Sequence, residues 1–412
     1  MQHFQVAVIG SGIVGLCAAL GSARLDLTTA LIAPAKAEPD GKTSALLGES
    51  VTILKTLDVW DEAEKVAFPL KTMRIIDGTK RLVRAPQTDF IASEIGQVKF
   101  GFNIENKLLG KILATKCDQH SNLTNFKLAL ENINVCADEP AMLTMGDGST
   151  VSADFIIAAD GRNSEVRRAL SIGERNWEYP QLALVGNFTH TLPNNDTSTE
   201  FHTETGPFTL VPLGKNRSSM VCVVNEKGAR DLLSLSKPEL NLELEHKMRS
   251  ILGKISIEAD LKSFPLSGMV AKSFSNGPVM LAGEAAHAFP PIGAQGLNLG
   301  LRDIKAALEL LSTNHAHTPA SVGEKYAQMR RADILSRTAS VDMLNRSLLS
   351  DFLPMQAGRS FGLYALGQVG PLRRLMMREG MAPGSSSKNT NSNSLKNPIE
   401  RISEMLRGSS RD

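Results

Sequence analysis

The sequence predicts an α/β fold: a Rossmann-like domain built from several chain segments, a β-sheet domain inserted between them, and helices towards the C-terminal end. Three observations carry the prediction. The chain opens on an apolar strand, a glycine-rich turn, a helix and a second apolar strand, the order of a βαβ crossover. Mixed helix-and-strand stretches then alternate with stretches that read almost entirely as strand. Two later apolar strands, Phe155 to Ala159 and Pro278 to Ala282, each run into a glycine-containing loop.

In chain order, Gln5 to Ile9 reads as a buried strand, Gly10 to Gly15 as a turn, Ile13 to Arg24 as a helix and Thr28 to Ile32 as the second strand. Val6 to Ala23 is uncharged and about long enough to span a bilayer. However, no Lys or Arg precedes it, as a signal peptide requires, and Gly10, Gly12 and Gly15 interrupt it. Asp40 to Trp60 reads as helical, Leu70 to Phe102 as short strands and Asn106 to His120 as a helix. Lys127 to Val135 and Ala141 to Met145 read as strands, and Gly146-Asp147-Gly148 as a hairpin turn. Trp177 to Phe264 is mostly strand, including Leu182 to Phe188, Thr209 to Pro212 and Ser219 to Val224, with a helix near Leu240 to Leu252. Helices follow over Asn298 to Leu311 and Val322 to Leu349.

The 412 residues suffice for about two or three domains. The expected division has a discontinuous first domain over 1–70, 100–175 and 265–345, and a β-rich domain over 71–99 and 176–264. A C-terminal helical region over 346–383 and a Ser/Asn-rich disordered tail over 384–412 follow. Within the tail, Ile399, Ile402, Met405 and Leu406 mark a short amphipathic helix beside Arg401, Arg407 and Arg411.

Composition excludes several classes. With 45 Lys plus Arg against 43 Asp plus Glu and 5% aromatics, nothing argues for a nucleic-acid partner. Cys17, Cys117, Cys136 and Cys222 form no C-x-x-C pair and have no His cluster beside them. No metal site is expected, and the four read as buried thiols in a reducing compartment.

Three blocks carry chemistry. Gly10-Ser11-Gly12-Ile13-Val14-Gly15 fits G-x-G-x-x-G between a strand and a helix. There the first glycine allows the turn, the second admits a pyrophosphate and the third lets helix and strand pack. The competing reading is a glycine-rich turn in an unrelated α/β fold. The ribose-binding acid expected after the second strand is absent, since the strand ends Leu31-Ile32-Ala33-Pro34, and Glu38 and Asp40 come late. The second block runs from Phe155 through Asp160-Gly161 to Ser164, with Arg167 just behind, and alone it reads equally as a strand-end turn closed by the Asp side chain. The third runs from Gly283-Glu284 through His287, Pro291, Gly293, Gly296, Leu297 and Asn298 to Asp303. Its small residues admit a flat ligand, Glu284 offers a carboxylate to a polyol, and the helix start near Leu297 and Asn298 favours negative charge.

Together the blocks resemble the flavoprotein aromatic hydroxylases of the para-hydroxybenzoate hydroxylase fold, and more closely the ubiquinone-biosynthesis hydroxylases. Phe264-Pro265-Leu266-Ser267 and Gly362-Leu363-Tyr364-Ala365-Leu366 through Arg378-Glu379-Gly380 are similar to that branch. The resemblance covers residues 4 to 383.

It implies an FAD-binding domain of the glutathione-reductase type. Gly10 to Gly15 would cradle the pyrophosphate. Asp160 and Gly161 would serve both FAD and NAD(P)H. Gly283 and Glu284 would meet the ribityl chain, and Pro291, Gly293, Gly296, Leu297 and Asn298 would lie along the isoalloxazine. Lys42 and Lys107 stand where the family has arginines, Glu284 replaces Asp, Ala294 replaces Gly and Pro290 replaces His. Lysine lacks the planar fork of arginine, so the first two are not neutral exchanges.

The implied activity is hydroxylation of a polyprenylated phenol with O2, through a flavin C4a-hydroperoxide, with NAD(P)H as electron donor. The implied setting is cytoplasmic, at a membrane surface or in a ubiquinone-biosynthesis complex. The catalytic base is not identified, with His202, Tyr179 and His287 as candidates, and the oligomeric state is open. The rival functions are hydroxylation of a small soluble aromatic compound and an inactive member that scaffolds a complex.

Overall fold

The structure, a computed structural model, describes residues 1–34, 41–79, 84–136, 139–290, 295–313, 318–349 and 370–381. The strand Gln2–Ile9 lies between two parallel neighbours, Thr29–Ile32 and Thr150–Ala158. Leu123–Phe126 continues the sheet on one side and Val279–Leu281 on the other, both parallel. Strands covered on both faces have no solvent side, which is why these segments are nearly unbroken apolar runs. Ala141–Met145 pairs antiparallel with Thr150–Ala158 through the expected turn, where Gly148 has φ +81°.

Helix Ile13–Arg24 is buried from Gly15 to Ala23, because the sheet lies on one side and the helices Asn106–Gln119 and Gln295–Ser312 on the others. A Cβ on Gly21 would run into Leu308, so glycine there lets two helices close up. Val6 to Ala23 thus divides into strand, turn and helix. No helix among the described residues is long and apolar enough to cross a membrane.

The second sheet has the order His287–Ala288, Lys262–Ala271, Glu174–His190, Arg217–Val224, Gly206–Pro212, Thr197–Thr203, Thr72–Asp77, Thr88–Ile91. Every pair in it is antiparallel except Thr197–Thr203 with Thr72–Asp77. One face packs Leu184, Phe188, Phe201, Phe208 and Met220 in a core with Ala229, Leu232, Leu240 and Leu244 of the helices Glu226–Leu233 and Lys237–Lys247. Alternation along the strands turns Tyr179, Ala183, Val223 and Leu266 to the other face. That face meets a small sheet of Thr43–Leu47, Gly101–Glu105 and Phe68–Leu70. The Thr43 and Ser219 hydroxyls lie 3.0 Å apart, and Asn103 Nδ2 donates to the Pro212 carbonyl at 3.0 Å. Arg217 forks Glu258 at 2.6 and 2.8 Å and gives its remaining nitrogen to Glu105 at 2.7 Å.

Several elements differ from expectation. Residues 40–60 hold a strand, Thr43–Leu47, before the helix Gly48–Thr56. Its partner Gly101–Glu105 is remote in sequence, so local periodicity does not mark it. Glu174–His190 is one long strand with a register shift between Glu178 and Leu182, which hides its first half. The second sheet also takes residues beyond 264, because Lys262–Ala271 stays paired along its length and His287–Ala288 joins its edge. Cys136 is exposed just past the outer strand Leu130–Asn134, whereas Cys17, Cys117 and Cys222 are buried. The tail 384–412 and Gly362 to Leu366 lie outside the described residues.

Trp60 is buried edge-on against Phe102, with ring centroids 4.7 Å apart, and joins the helices after Thr43–Leu47 to the small sheet. Trp60→Ala is expected to cost about 3–5 kcal/mol, read as a lowered urea midpoint at unchanged slope. A loss below about 1 kcal/mol, the size of an average substitution, would contradict this packing.

Candidate cofactor and active site

Four parallel strands end on one edge of the first sheet. In spatial order, Val279–Leu281, Thr150–Ala158, Gln2–Ile9 and Thr29–Ile32 lead to Gly283-Glu284, Asp160-Gly161, Gly10 to Gly15, and Ala33. The chain first builds outward from Gln2–Ile9 on one side, then fills the other with Thr150–Ala158. Such a reversal opens a crevice beyond the carboxyl ends of the strands. All three sequence blocks meet there.

The three glycines of the first block do different work. Gly10 has φ +107°, and a Cβ on it would collide with the Ala159 carbonyl. A Cβ on Gly15 would collide with the Gly10 carbonyl oxygen. Gly12 faces open space and is the N-cap of the helix, which has neither a capping side chain nor an acid in its first turn. The N–H groups of Ile13, Val14 and Gly15 are therefore free for an anion. Ser11 is half-buried beside them. Val14 packs on the third block: a Cβ would lie 3.2 Å from it at Gly283 and 2.8 Å at Gly300.

In the second block, Asp160 Oδ2 accepts from the Val166 N–H at 3.1 Å, while Oδ1 is buried without a partner. Burial raises its pKa, against the Val166 hydrogen bond and the neighbouring Ser164 hydroxyl. Gly161 has φ +85° and open space where a Cβ would be. Arg162 reaches Ser267 of the second sheet. Buried Arg167 donates to the Ala285 carbonyl at 2.8 Å and pairs with Glu174 at 2.5 Å.

In the third block Gly283 has φ +59° and Glu284 is exposed. The Gly283 N–H donates to Asp303 Oδ2 at 2.9 Å, His287 Nε2 lies 2.7 Å from the same oxygen, and Arg330 Nε donates to Oδ1 at 2.7 Å. Asp303 is 0% exposed. Burial alone would raise its carboxyl, but Arg330, His287 and the donated hydrogen bonds outweigh that and hold it below its ordinary value. Asp303 closes the third block yet reads there as a plain helix position, and nothing in the sequence marks Arg330.

The Asn298 side chain is occupied by the protein itself. Its Nδ2 donates to the Ala45 carbonyl at 2.8 Å, and its Oδ1 accepts from the Leu47 N–H at 2.9 Å and Ser50 Oγ at 2.6 Å. It ties the start of helix Gln295–Ser312 to Thr43–Leu47. Gly296 is exposed with open space at its Cβ position, and Leu297 is half-buried against the core. Pro291 and Gly293 lie outside the described residues, as do Glu38 and Asp40. Lys42 Nζ sits 4.3 Å above the Phe264 ring, and Lys107 is exposed in the first turn of Asn106–Gln119. The Asn106 N–H donates to the Lys42 carbonyl at 3.0 Å, so the two lysine-bearing segments adjoin.

The candidate bases are all engaged. The Tyr179 hydroxyl donates to Asp342 at 2.6 Å and accepts from Trp177 Nε1 at 2.7 Å. Burial first, and then Asp342, push its pKa up to about 12, so it stays protonated at neutral pH. His202 is buried with Nε2 2.9 Å from Glu200, and His287 is buried on Asp303.

These residues fit FAD: an uncapped helix start behind an open glycine suits a pyrophosphate, and the partnerless Asp160 oxygen suits a hydroxyl donor. The buried Ala33 provides no acid for the adenosine ribose.

Gly15→Ala is expected to cost about 1–3 kcal/mol or more by overpacking, and Gly12→Ala about 1 kcal/mol or less through the N-cap. Denaturant unfolding of the flavin-free protein checks this, and equal losses would contradict the separate roles of the two glycines.

Known proteins are similar to this chain in sequence or in fold. A ubiquinone hydroxylase of Rhodospirillum rubrum is 29% identical, covering 92% of this chain and 89% of its own. The 3-demethoxyubiquinol 3-hydroxylase of Escherichia coli is 28% identical, covering 92% and 98%. Among solved structures, p-nitrophenol 4-monooxygenase of Pseudomonas putida superposes with a TM-score of 0.76 at 18% identity, covering 92% of this chain and 98% of its own. The PqsL protein of Pseudomonas aeruginosa, bound to 2-aminobenzoylacetate, gives 0.76 at 19%, covering 88% and 100%. At such identities the two structures speak for the fold. Residues 3–334 match the FAD binding domain family, whose cofactor suits the crevice at the end of Gln2–Ile9, and the chain belongs to that family.

Proposed function

We propose that this protein is an FAD-dependent monooxygenase, using NAD(P)H and O2, that hydroxylates the aromatic ring of a polyprenylated phenol in ubiquinone biosynthesis. The observation that carries the flavoenzyme reading is the convergence of Gly10 to Gly15, Asp160-Gly161 and Gly283-Glu284 on one crevice. The substrate class follows from the two ubiquinone-pathway relatives, which align over 92% of the chain.

Bound FAD would supply the redox chemistry, with NAD(P)H as reductant and O2 as the source of the new hydroxyl oxygen. The protein's part is to bind, orient and exclude water. The free N–H groups of Ile13 to Gly15 hold the pyrophosphate. Glu284 accepts from the ribityl hydroxyls, and Asp160 Oδ1 accepts from a cofactor hydroxyl. Gly296 and Leu297 border the ring system, and Asn298 holds that helix start in place through Ala45 and Ser50. Lys42 and Lys107 offset negative charge as point charges rather than forks. In this reading the segments 1–70, 100–175 and 265–345 make the cofactor domain, less Glu174 and Arg175, the residues up to Ala271 and His287–Ala288, which pair into the second sheet.

The substrate wall is the face of the second sheet carrying Ala183, Val185, Val221, Val223 and Leu266. It is apolar, as a prenylated ring requires. It also faces the small sheet on which Asn298 and Lys42 converge.

The test combines gene deletion with isotope labelling. Cells lacking the gene are expected to lose ubiquinone and accumulate a prenylated phenol one hydroxyl short. Purified protein given that compound, NAD(P)H and ¹⁸O2 is expected to place the label in the new hydroxyl. Unchanged ubiquinone content, with rapid turnover of simple phenols such as salicylate, would overturn the proposal in favour of a soluble substrate.

A further inference from the structure

The third block runs from Gly283 to Asp303, and the buried carboxylate that ends it ties its first residues to the helix Gln295–Ser312. Asp303 lies on the helix Gln295–Ser312 that follows the loop. Its Oδ2 takes the N–H of Gly283, the first residue of the loop, and Nε2 of His287, where the chain crosses into the second sheet beside Val270. Its Oδ1 takes Arg330 from the helix Pro319–Leu349. Nearby, the Tyr326 hydroxyl of that helix donates to the Leu281 carbonyl at 2.6 Å. Glu284, one residue from the Gly283 N–H, is exposed.

We propose that Asp303 is a positioning residue for the cofactor: through the Gly283 N–H and His287 it fixes the turn that presents Glu284, and so sets FAD affinity without touching FAD. This rests on the reading of the Gly283-Glu284 turn as a cofactor contact. The Gly283 conformation is one that L side chains rarely adopt. A turn held there by a hydrogen bond to a charged, immobile acceptor is pre-organised, and pre-organisation reduces the ordering cost of binding. Arg330 acts differently. It keeps the carboxylate charged in the interior, and its guanidinium does not reach the turn.

Removing Asp303 alone leaves the buried Arg330 with only Asp333, 2.9 Å away, as counter-charge and endangers folding. Two double variants of the full-length chain separate the roles. Asp303→Asn/Arg330→Met removes the ion pair but keeps one oxygen that can accept from Gly283 and His287. Asp303→Leu/Arg330→Met removes the ion pair and the acceptor together, at nearly unchanged side-chain shape. FAD dissociation constants are measured by fluorescence titration of flavin-stripped protein, and melting temperatures are measured in parallel. The asparagine variant is expected to bind FAD within about threefold of wild type, and the leucine variant about tenfold to a hundredfold more weakly, as for the loss of one or two hydrogen bonds. Equal affinity of the two double variants would overturn the positioning role. Failure of the wild type to bind FAD would overturn the cofactor reading beneath it.

Discussion

The close crossing of backbone at Gly10, Gly15 and Ala159 is the constraint on which the rest of the site depends. No side chain fits between the first strand, its helix and the neighbouring strand. The helix therefore starts hard against the sheet edge, with its unpaired N–H groups at the crevice rather than behind a capping residue. Beside Gly15 in the same first turn, Val14 fills the space left by Gly283 and Gly300, so the first and third blocks pack directly on one another. The cradle is shaped mainly by atoms that are missing. Its tolerance to substitution accordingly differs sharply between Gly12, which faces open space, and Gly15, which does not.

Around this apolar crossing the two sheets are joined by polar groups. Arg162 reaches Ser267, Arg167 joins the Ala285 carbonyl and Glu174, and Arg217 bridges Glu105 and Glu258. Only Arg167 among them is fully buried, and half-buried pairs such as Arg217 with its two glutamates add little net stability, because solvent screening and desolvation offset much of their attraction. Their directional hydrogen bonds hold one relative placement of the groups they join. For the proposed site, which would lie between a cofactor edge and an apolar sheet face, such placement matters more than the last increment of stability. Exposed pairs such as Lys71 with Asp196 contribute far less.

Much of this was legible in the sequence where the signal is local. Glycines at fixed spacing between an apolar strand and a helix announce a backbone geometry, and the structure gives Gly10, Gly161 and Gly283 the positive φ angles such turns need. Partners distant in the chain were not legible. Asp303 becomes a hub only because Gly283, His287 and Arg330 fold onto it. Thr43–Leu47 becomes a strand only because Gly101–Glu105 lies beside it. Asn298 shows the same limit at a single residue. Its type and position suit a ligand contact, yet its amide is engaged by Ala45, Leu47 and Ser50. The missing ribose acid was legible at once, since buried Ala33 occupies the strand end.

The central claim is that this crevice binds FAD despite Ala33, Lys42, Lys107 and Glu284 standing where the family has other residues. The most direct measurement is the visible absorption spectrum of the purified protein, followed by chromatographic identification of the flavin released on denaturation. The account predicts a yellow protein that releases FAD in near-equimolar amount. A colourless protein that takes up no added FAD would contradict it.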